Sequence, residues 1–114
     1  MNGCLDTIRP LVQDIRRGLA TGIKTQIVIC PPFPYLQEVS ACLRDSRMAL
    51  GAQDISEHTA GAYTGEVSGS MLKEYQCEMV IVGHSERRRD NADTDERIAR
   101  KFAKGVESGL VPIL

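Results

Sequence analysis

The chain has 114 residues, enough for one domain with a real core and too few for two. With 42% hydrophobic and 25% charged residues it reads as soluble and globular rather than disordered, and a net charge of −1 gives no reason to expect nucleic acid or an anionic membrane as partner. No apolar run approaches a membrane span and the start Met1-Asn2-Gly3 does not read as a signal peptide, so a cytoplasmic location is the expectation.

In chain order, Leu5, Ile8, Leu11, Val12, Ile15 and Leu19 recur at helical spacing, which predicts an amphipathic helix packed on a sheet. Pro10 places its ordered start near Arg9 or a kink there, and Thr21-Gly22 ends it. Thr25 to Cys30 reads as a short buried strand. Pro31, Pro32 and Pro34 then punctuate a turn into a helix whose buried stripe is Leu36, Val39 and Leu43. Met48 to Gln53 is a strand of small residues, suited either to a tapering barrel interior or to a loop edge. Asp54 to Glu66 is a polar loop hinged at Gly61 and Gly65, and loops this long in a compact domain are usually functional. His58 within it reads as exposed and unspecialised. Ser68 caps a short helix through Tyr75.

Met79 to Val82 is apolar and mostly β-branched, as a strand buried on both faces would be. Gly83 turns the backbone, and His84, Ser85 and Glu86 follow at the strand's carboxyl end, where parallel α/β folds bind ligands. Asp93 and Glu96 have capping-box spacing ahead of a helix with the apolar face Ile98, Ala99, Phe102, Ala103 and Val106. Gly109 stops that helix and Leu110 to Leu114 begins another strand. Met48, Met79 and Leu110 stand 31 residues apart, the period of a β/α unit in a parallel sheet or barrel. Cys4, Cys30, Cys42 and Cys77 show neither a disulfide framework nor zinc spacing, so buried reduced thiols, no metal and no cofactor are expected.

Val82 to Arg88, V-G-H-S-E-R-R, resembles the signature around the catalytic histidine of triosephosphate isomerases. The resemblance extends over nearly the whole chain: C-P-P-F-P-Y-L from Cys30, G-A-Q-D from Gly51, G-A-Y-T-G-E-V-S from Gly61, and G-L-V-P-I-L from Gly109. It implies an α/β fold, a partial (β/α)8 TIM barrel holding about strands two to five, as one domain over residues 1–114. It also implies an aldose–ketose isomerase of glycolysis and gluconeogenesis that interconverts dihydroxyacetone phosphate and glyceraldehyde 3-phosphate through an enediolate. This family is a standard example of catalysis with a neutral histidine as electrophile and a glutamate as base. The resemblance makes His84 that electrophile and the one core catalytic residue present. Ser85 becomes a supporting hydroxyl at a helix start, and Glu86 an acid that pairs with a catalytic lysine. Tyr63, Thr64, Glu66 and Arg87 become homodimer-interface residues, with Glu66 and Asp93 as partners of Arg87.

The family's opening N-W-K-M-N-G and this chain's M-N-G imply a start just after the catalytic lysine. The base, its closing loop and the phosphate-binding loops fall beyond Leu114, so the 114-residue chain alone is expected to be inactive. At Asp93 the family commonly has a glutamate, whose reach is longer. The rival reading is a non-catalytic fragment that self-associates through open sheet edges and the 54–66 loop. A doubly wound phosphate-binding domain is a third, weakened by the absence of a glycine-rich phosphate loop.

Overall fold

A strand of alternating cover forms the middle of the sheet. In the computed structural model, which describes residues 2–19 and 24–114, β3 (Met79–Ile81) lies between β2 (Ala49–Ala52) and β4 (Val111–Ile113), and β1 (Val28–Ile29) flanks β2. All three pairings are parallel, with Val28 opposite Ala49, Gly51 opposite Met79 and Met79 opposite Val111. Sheet order therefore follows chain order, and a helical crossover joins each strand to the next, as parallel pairing requires. The expectation of β/α units repeating along a parallel sheet holds. Val80 and Val82 are fully buried, whereas Met79 and Ile81, which alternate with them, are only half-buried, so the cover on β3 is one-sided where burial on both faces was expected. All four residues of β2 are buried.

Helix α1 (Leu5–Gly18) begins four residues before Arg9 and carries Pro10 in its interior. The missing Pro10 N–H would have bonded the carbonyl of Asp6, and both residues are exposed, so water can satisfy that carbonyl. At the start, Thr7 Oγ1 accepts from Cys4 N at 3.2 Å. The expected end at Thr21-Gly22 lies outside the described residues. Only Ile8 and Val12 of the apolar set are buried; Leu5 and Leu11 are exposed. The helix lies against α2 (Leu36–Leu43) rather than squarely on the sheet, and Arg9 Nη2 reaches Glu38 Oε2 of α2 at 3.0 Å. The Leu36, Val39 and Leu43 stripe of α2 is buried as expected, behind a single 3-10 turn at Phe33–Tyr35. Strand β1 is shorter than the 25–30 expectation.

Helix α3 (Gly69–Glu74) is capped by Ser68, whose hydroxyl accepts from Met71 N, and it ends one residue short of Tyr75. After β3 comes the short α4 (Ser85–Asp90), then α5 (Asp95–Glu107). The α5 cap is Thr94, accepting from Arg97 N at 3.3 Å, and not Asp93, whose side chain is buried in ion pairs. The face α5 turns inward shares only Ile98 with the expected apolar one. Ile98, Lys101 and Gly105 are buried, whereas Ala99, Phe102, Ala103 and Val106 are exposed. Gly105 decides this: a Cβ there would stand 3.0 Å from Pro112 Cγ and 3.3 Å from Val80 Cγ1, so the helix lies on the sheet at glycine distance. The core joins Leu36, Val39, Leu50, Ile55, Leu72, Val80 and Ile98 into one cluster. None of the helices is long and apolar enough to cross a membrane, among the described residues.

Candidate active site

Gly83, at φ +76°, carries the backbone out of β3 and delivers His84 to the start of α4. His84 is the residue that caps this helix: its Nδ1 accepts from Glu86 N at 3.2 Å. A ring nitrogen that accepts from a backbone N–H carries no proton, so the proton of the neutral ring sits on Nε2. The imidazole is half exposed (51%), open to a ligand, and Nε2–H is the donor it presents. Ser85 is the first helical residue and is exposed; the capping role lies with His84. Glu86 is more exposed still, with Oε2 3.9 Å from Nδ1.

Behind α4 lies a cluster of four charges, of which Asp54, Asp93 and Lys101 are buried and Arg87 is half-buried. Lys101 Nζ donates to both Asp54 oxygens at 2.9 Å and to Asp93 Oδ2 at 3.0 Å. Arg87 spans the same two carboxylates, Nε on Asp93 Oδ2 and Nη2 on Asp54 Oδ2, each at 2.9 Å. The expected Arg87–Asp93 pair is therefore made in spite of the shorter aspartate. Arg87's other partner is Asp54, not Glu66. Two cations balance two carboxylates, which is the condition for burying them at all. Burial raises the pKa of Asp54 and outweighs Lys101 and Arg87. At Asp93 burial also pushes upward, but the hydrogen bonds from Lys101 and Arg87 prevail and hold the carboxyl below its ordinary value. Asp93 Oδ1 is buried without a hydrogen-bond partner among the described residues, with Arg97 Nη1 3.9 Å away. Next to the cluster, Glu57 is clamped by Arg100 and by Arg97 Nε at 3.0 Å, both of which lower its pKa and fasten the long loop to α5.

Tyr63, Thr64, Glu66 and Arg87 line one cavity of about 270 Å³, whose inner wall includes Asp93 and Lys101. His84 is not among its lining residues. The sequence expectations thus fall into two places: His84 with Ser85 and Glu86 at the strand end, and the four others around the cavity behind α4. His58 is half-buried, its ring stacked on Tyr63 at 3.7 Å between centroids and 2° between planes, which corrects the exposed, unspecialised reading. Gly61 and Gly65 both take positive φ.

The triosephosphate isomerase family model matches residues 1–114. The chain belongs to that family. Among curated triosephosphate isomerases it is 49% identical to that of Hahella chejuensis over 99% of its own length and 45% of the relative's. It is 45% identical to that of Polynucleobacter asymbioticus over all of its length and 47% of the relative's, and 44% identical to that of Dechloromonas aromatica over all of its length and 45% of the relative's. The chain thus spans about half the length of the curated triosephosphate isomerases it matches. In the TIM-barrel frame of the family, the four parallel strands are a partial barrel, and His84 stands at a strand's carboxyl end, the face where such barrels place their chemistry.

Two residues of the buried cluster, Asp54 and Lys101, escape a reading of the sequence. Asp54 closes the G-A-Q-D strand end and looks like the first loop residue, and Lys101 looks like one more of the many charged residues along α5. The only available signal was the i, i+3, i+7 spacing of Ile98, Lys101 and Gly105, which competes with a more apolar stripe on the same helix. Among the cysteines, Cys77 is buried, Cys30 and Cys42 are half-buried and Cys4 is exposed, so the buried-thiol expectation fails at Cys4. Cys4 lies outside the packed region, beside Thr7, whose hydrogen bonds lower its pKa; burial pushes Cys77 up to about 11.

Proposed function

We propose that the whole protein to which these residues belong is a triose-phosphate isomerase, interconverting dihydroxyacetone phosphate and glyceraldehyde 3-phosphate by enediolate proton transfer, with His84 as electrophile. The observation that carries this reading is the capping hydrogen bond from Glu86 N to His84 Nδ1, which leaves Nε2–H on a half-exposed ring as the outward donor. A neutral imidazole suits that work. It can hydrogen-bond the developing enediolate oxygen and take part in its proton transfer because the two acidities are comparable. Ser85 and Glu86 are supporting groups on the first turn of α4. Residues 1–114 form a single partial-barrel domain in the cytoplasm, and Tyr63, Thr64, Glu66 and Arg87 belong to a homodimer interface. By themselves these residues turn over no triose phosphate, because the resemblance puts the base and the phosphate loops outside them.

The test is His84→Gln in the whole protein, assayed in both directions with a coupled dehydrogenase. A positioned acid–base group contributes about 10²–10⁴-fold, so kcat is expected to fall by that range with a much smaller change in KM. Unchanged kcat overturns the assignment, and family-like turnover by the 114-residue chain alone overturns the claim that it is incomplete as an enzyme.

A further inference from the structure

We infer that Lys101 is a positioning residue for His84, acting through Asp54, Asp93 and Arg87. The reason is what holds α4 in place. This helix is six residues long, S-E-R-R-R-D, and none of them is buried. An isolated helix of that length does not persist in water, so its position is set by attachments to the rest of the fold. The side chains of Arg87 and Arg88 supply them. Arg88 Nε donates to Gly83 O at 2.7 Å, which is a bond within the same segment, and Arg88 Nη1 meets Asp95 at 2.6 Å. Asp95 is 86% exposed, and a pair in that setting is screened and weak.

Arg87 is the deep anchor. Its planar fork spans Asp54 and Asp93, which come from two different segments, so it fixes an angle as well as a distance. Neither carboxylate is held at that spacing by Arg87 alone. Lys101, 3% exposed on α5, bonds both and sets the gap the guanidinium must bridge. The path is continuous: Lys101 on α5, the two aspartates, Arg87, the backbone of α4, and the Glu86 N–H that engages His84 Nδ1. Arg87 N also donates to His84 O at 2.9 Å, so a rotation of Arg87 is a rotation of the histidine's own turn. Removing Lys101 leaves two buried carboxylates facing one guanidinium. Their repulsion opens the pair, α4 loses its fixed orientation, and the Glu86 N–H no longer selects one tautomer of His84.

The catalytic meaning of this rests on His84 being the proton donor, but its test needs no turnover, so the two can fail separately. The histidines of the whole protein are labelled with 15N in the imidazole and observed by NMR about two pH units above the ordinary histidine value of about 6.5, the His84 signals being assigned by their loss in His84→Gln. In the unaltered chain His84 is expected to show one pyridine-type nitrogen, Nδ1, and one pyrrole-type nitrogen, Nε2. Lys101→Met is expected to move both toward values averaged over the two tautomers. Asp95→Ala, which cuts only the surface pair, is expected to leave them in place. Where Lys101→Met does not give a folded spectrum, Arg87→Lys decides: it keeps the charge balance but replaces the fork with a single-point ammonium, and the same averaging is expected. An unaltered His84 signature in either folded cluster variant overturns the inference. So does averaging by Asp95→Ala equal to that of the cluster variants, or averaged nitrogens in the unaltered chain.

Discussion

Replacing Gly83 with alanine adds one methyl group at the turn that delivers His84, and the structure gives its cost in two parts. The first is backbone: at φ +76° a residue with a Cβ sits in the left-handed region, at about 1–2 kcal/mol. The second is packing. The new Cβ would stand 3.0 Å from Ile98 Cγ2, 3.1 Å from Ile98 Cδ1 and 3.2 Å from Arg88 Nη2. Ile98 is 4% exposed and cannot swing into solvent, so the contact is relieved by shifting α5 or α4. Overpacking of this kind costs about 1–3 kcal/mol. Gly109 is the matched control: its φ is +72°, and nothing lies within 4 Å of a Cβ built there, so Gly109→Ala carries the backbone part alone. The expected destabilisation is about 2–5 kcal/mol for Gly83→Ala and about 1–2 kcal/mol for Gly109→Ala. Urea unfolding followed by far-ultraviolet circular dichroism measures both, with the slope checked for constancy so that the midpoint shift reports stability. Equal losses in the two variants would refute the reasoning, because they would mean that Ile98 and Arg88 yield to the methyl group at no cost.

Asp93→Asn removes one charge from the buried cluster and is expected to cost about 3–5 kcal/mol, measured by the same unfolding experiment; a loss below about 1 kcal/mol would refute the account of the cluster. Because Asp93 is held below its unfolded value, its contribution is fully present above the ordinary aspartate pKa of about 3.9 and is lost as pH falls through the lower folded value. Asp54 has the opposite sign: its carboxyl is raised, so what it contributes is present at low pH and lost as pH rises through its folded value. Melting temperature against pH should therefore fall less steeply on the acid side in Asp93→Asn than in the unaltered chain, and an identical acid limb would count against the assignment. Alkylation of the native chain with iodoacetamide, read by mass spectrometry, is expected to label Cys4 first and Cys77 last, since one thiol is exposed with a lowered pKa and the other is buried and raised to about 11. Labelling of Cys77 ahead of Cys4 would show that the packing around Cys77 opens readily.

Elements that bury a regular apolar pattern were legible from the residues. Leu36, Val39 and Leu43 are the inward stripe of α2, and the 31-residue spacing read from the sequence is close to the steps from β2 to β3 and from β3 to β4, though the step from β1 to β2 is shorter. Helix α5 shows where this kind of reading breaks down. It carries two stripes at helical spacing that share Ile98, and hydrophobicity points to the one running on through Ala99, Phe102, Ala103 and Val106. Steric and electrostatic fit choose the other, since only a glycine permits the approach at position 105 and only a paired lysine is tolerated at 101. Neither condition is local. Lys101 needs an aspartate 47 positions earlier in the chain, and no window of sequence contains both. The Asp93 cap failed for the same reason: its carboxylate is engaged by Arg87 and Lys101, and the neighbouring Thr94 hydroxyl is left to cap α5. The placement of His84 just after a strand's carboxyl end was legible because its signal is contiguous, a buried strand, a glycine turn and a polar triplet.

The agreement of sheet order with chain order also bears on how the polypeptide acquires its fold during synthesis. Val28 pairs with Ala49, Gly51 with Met79, and Met79 with Val111, so each new strand leaves the ribosome after the strand that serves as its template. Among the described residues no pairing waits for a segment more than one β/α unit downstream, and each closure is a loop of modest length, for which the entropic cost grows only slowly. Growth of these four strands can proceed unit by unit, with β1 at one edge of the sheet and the newest strand at the other.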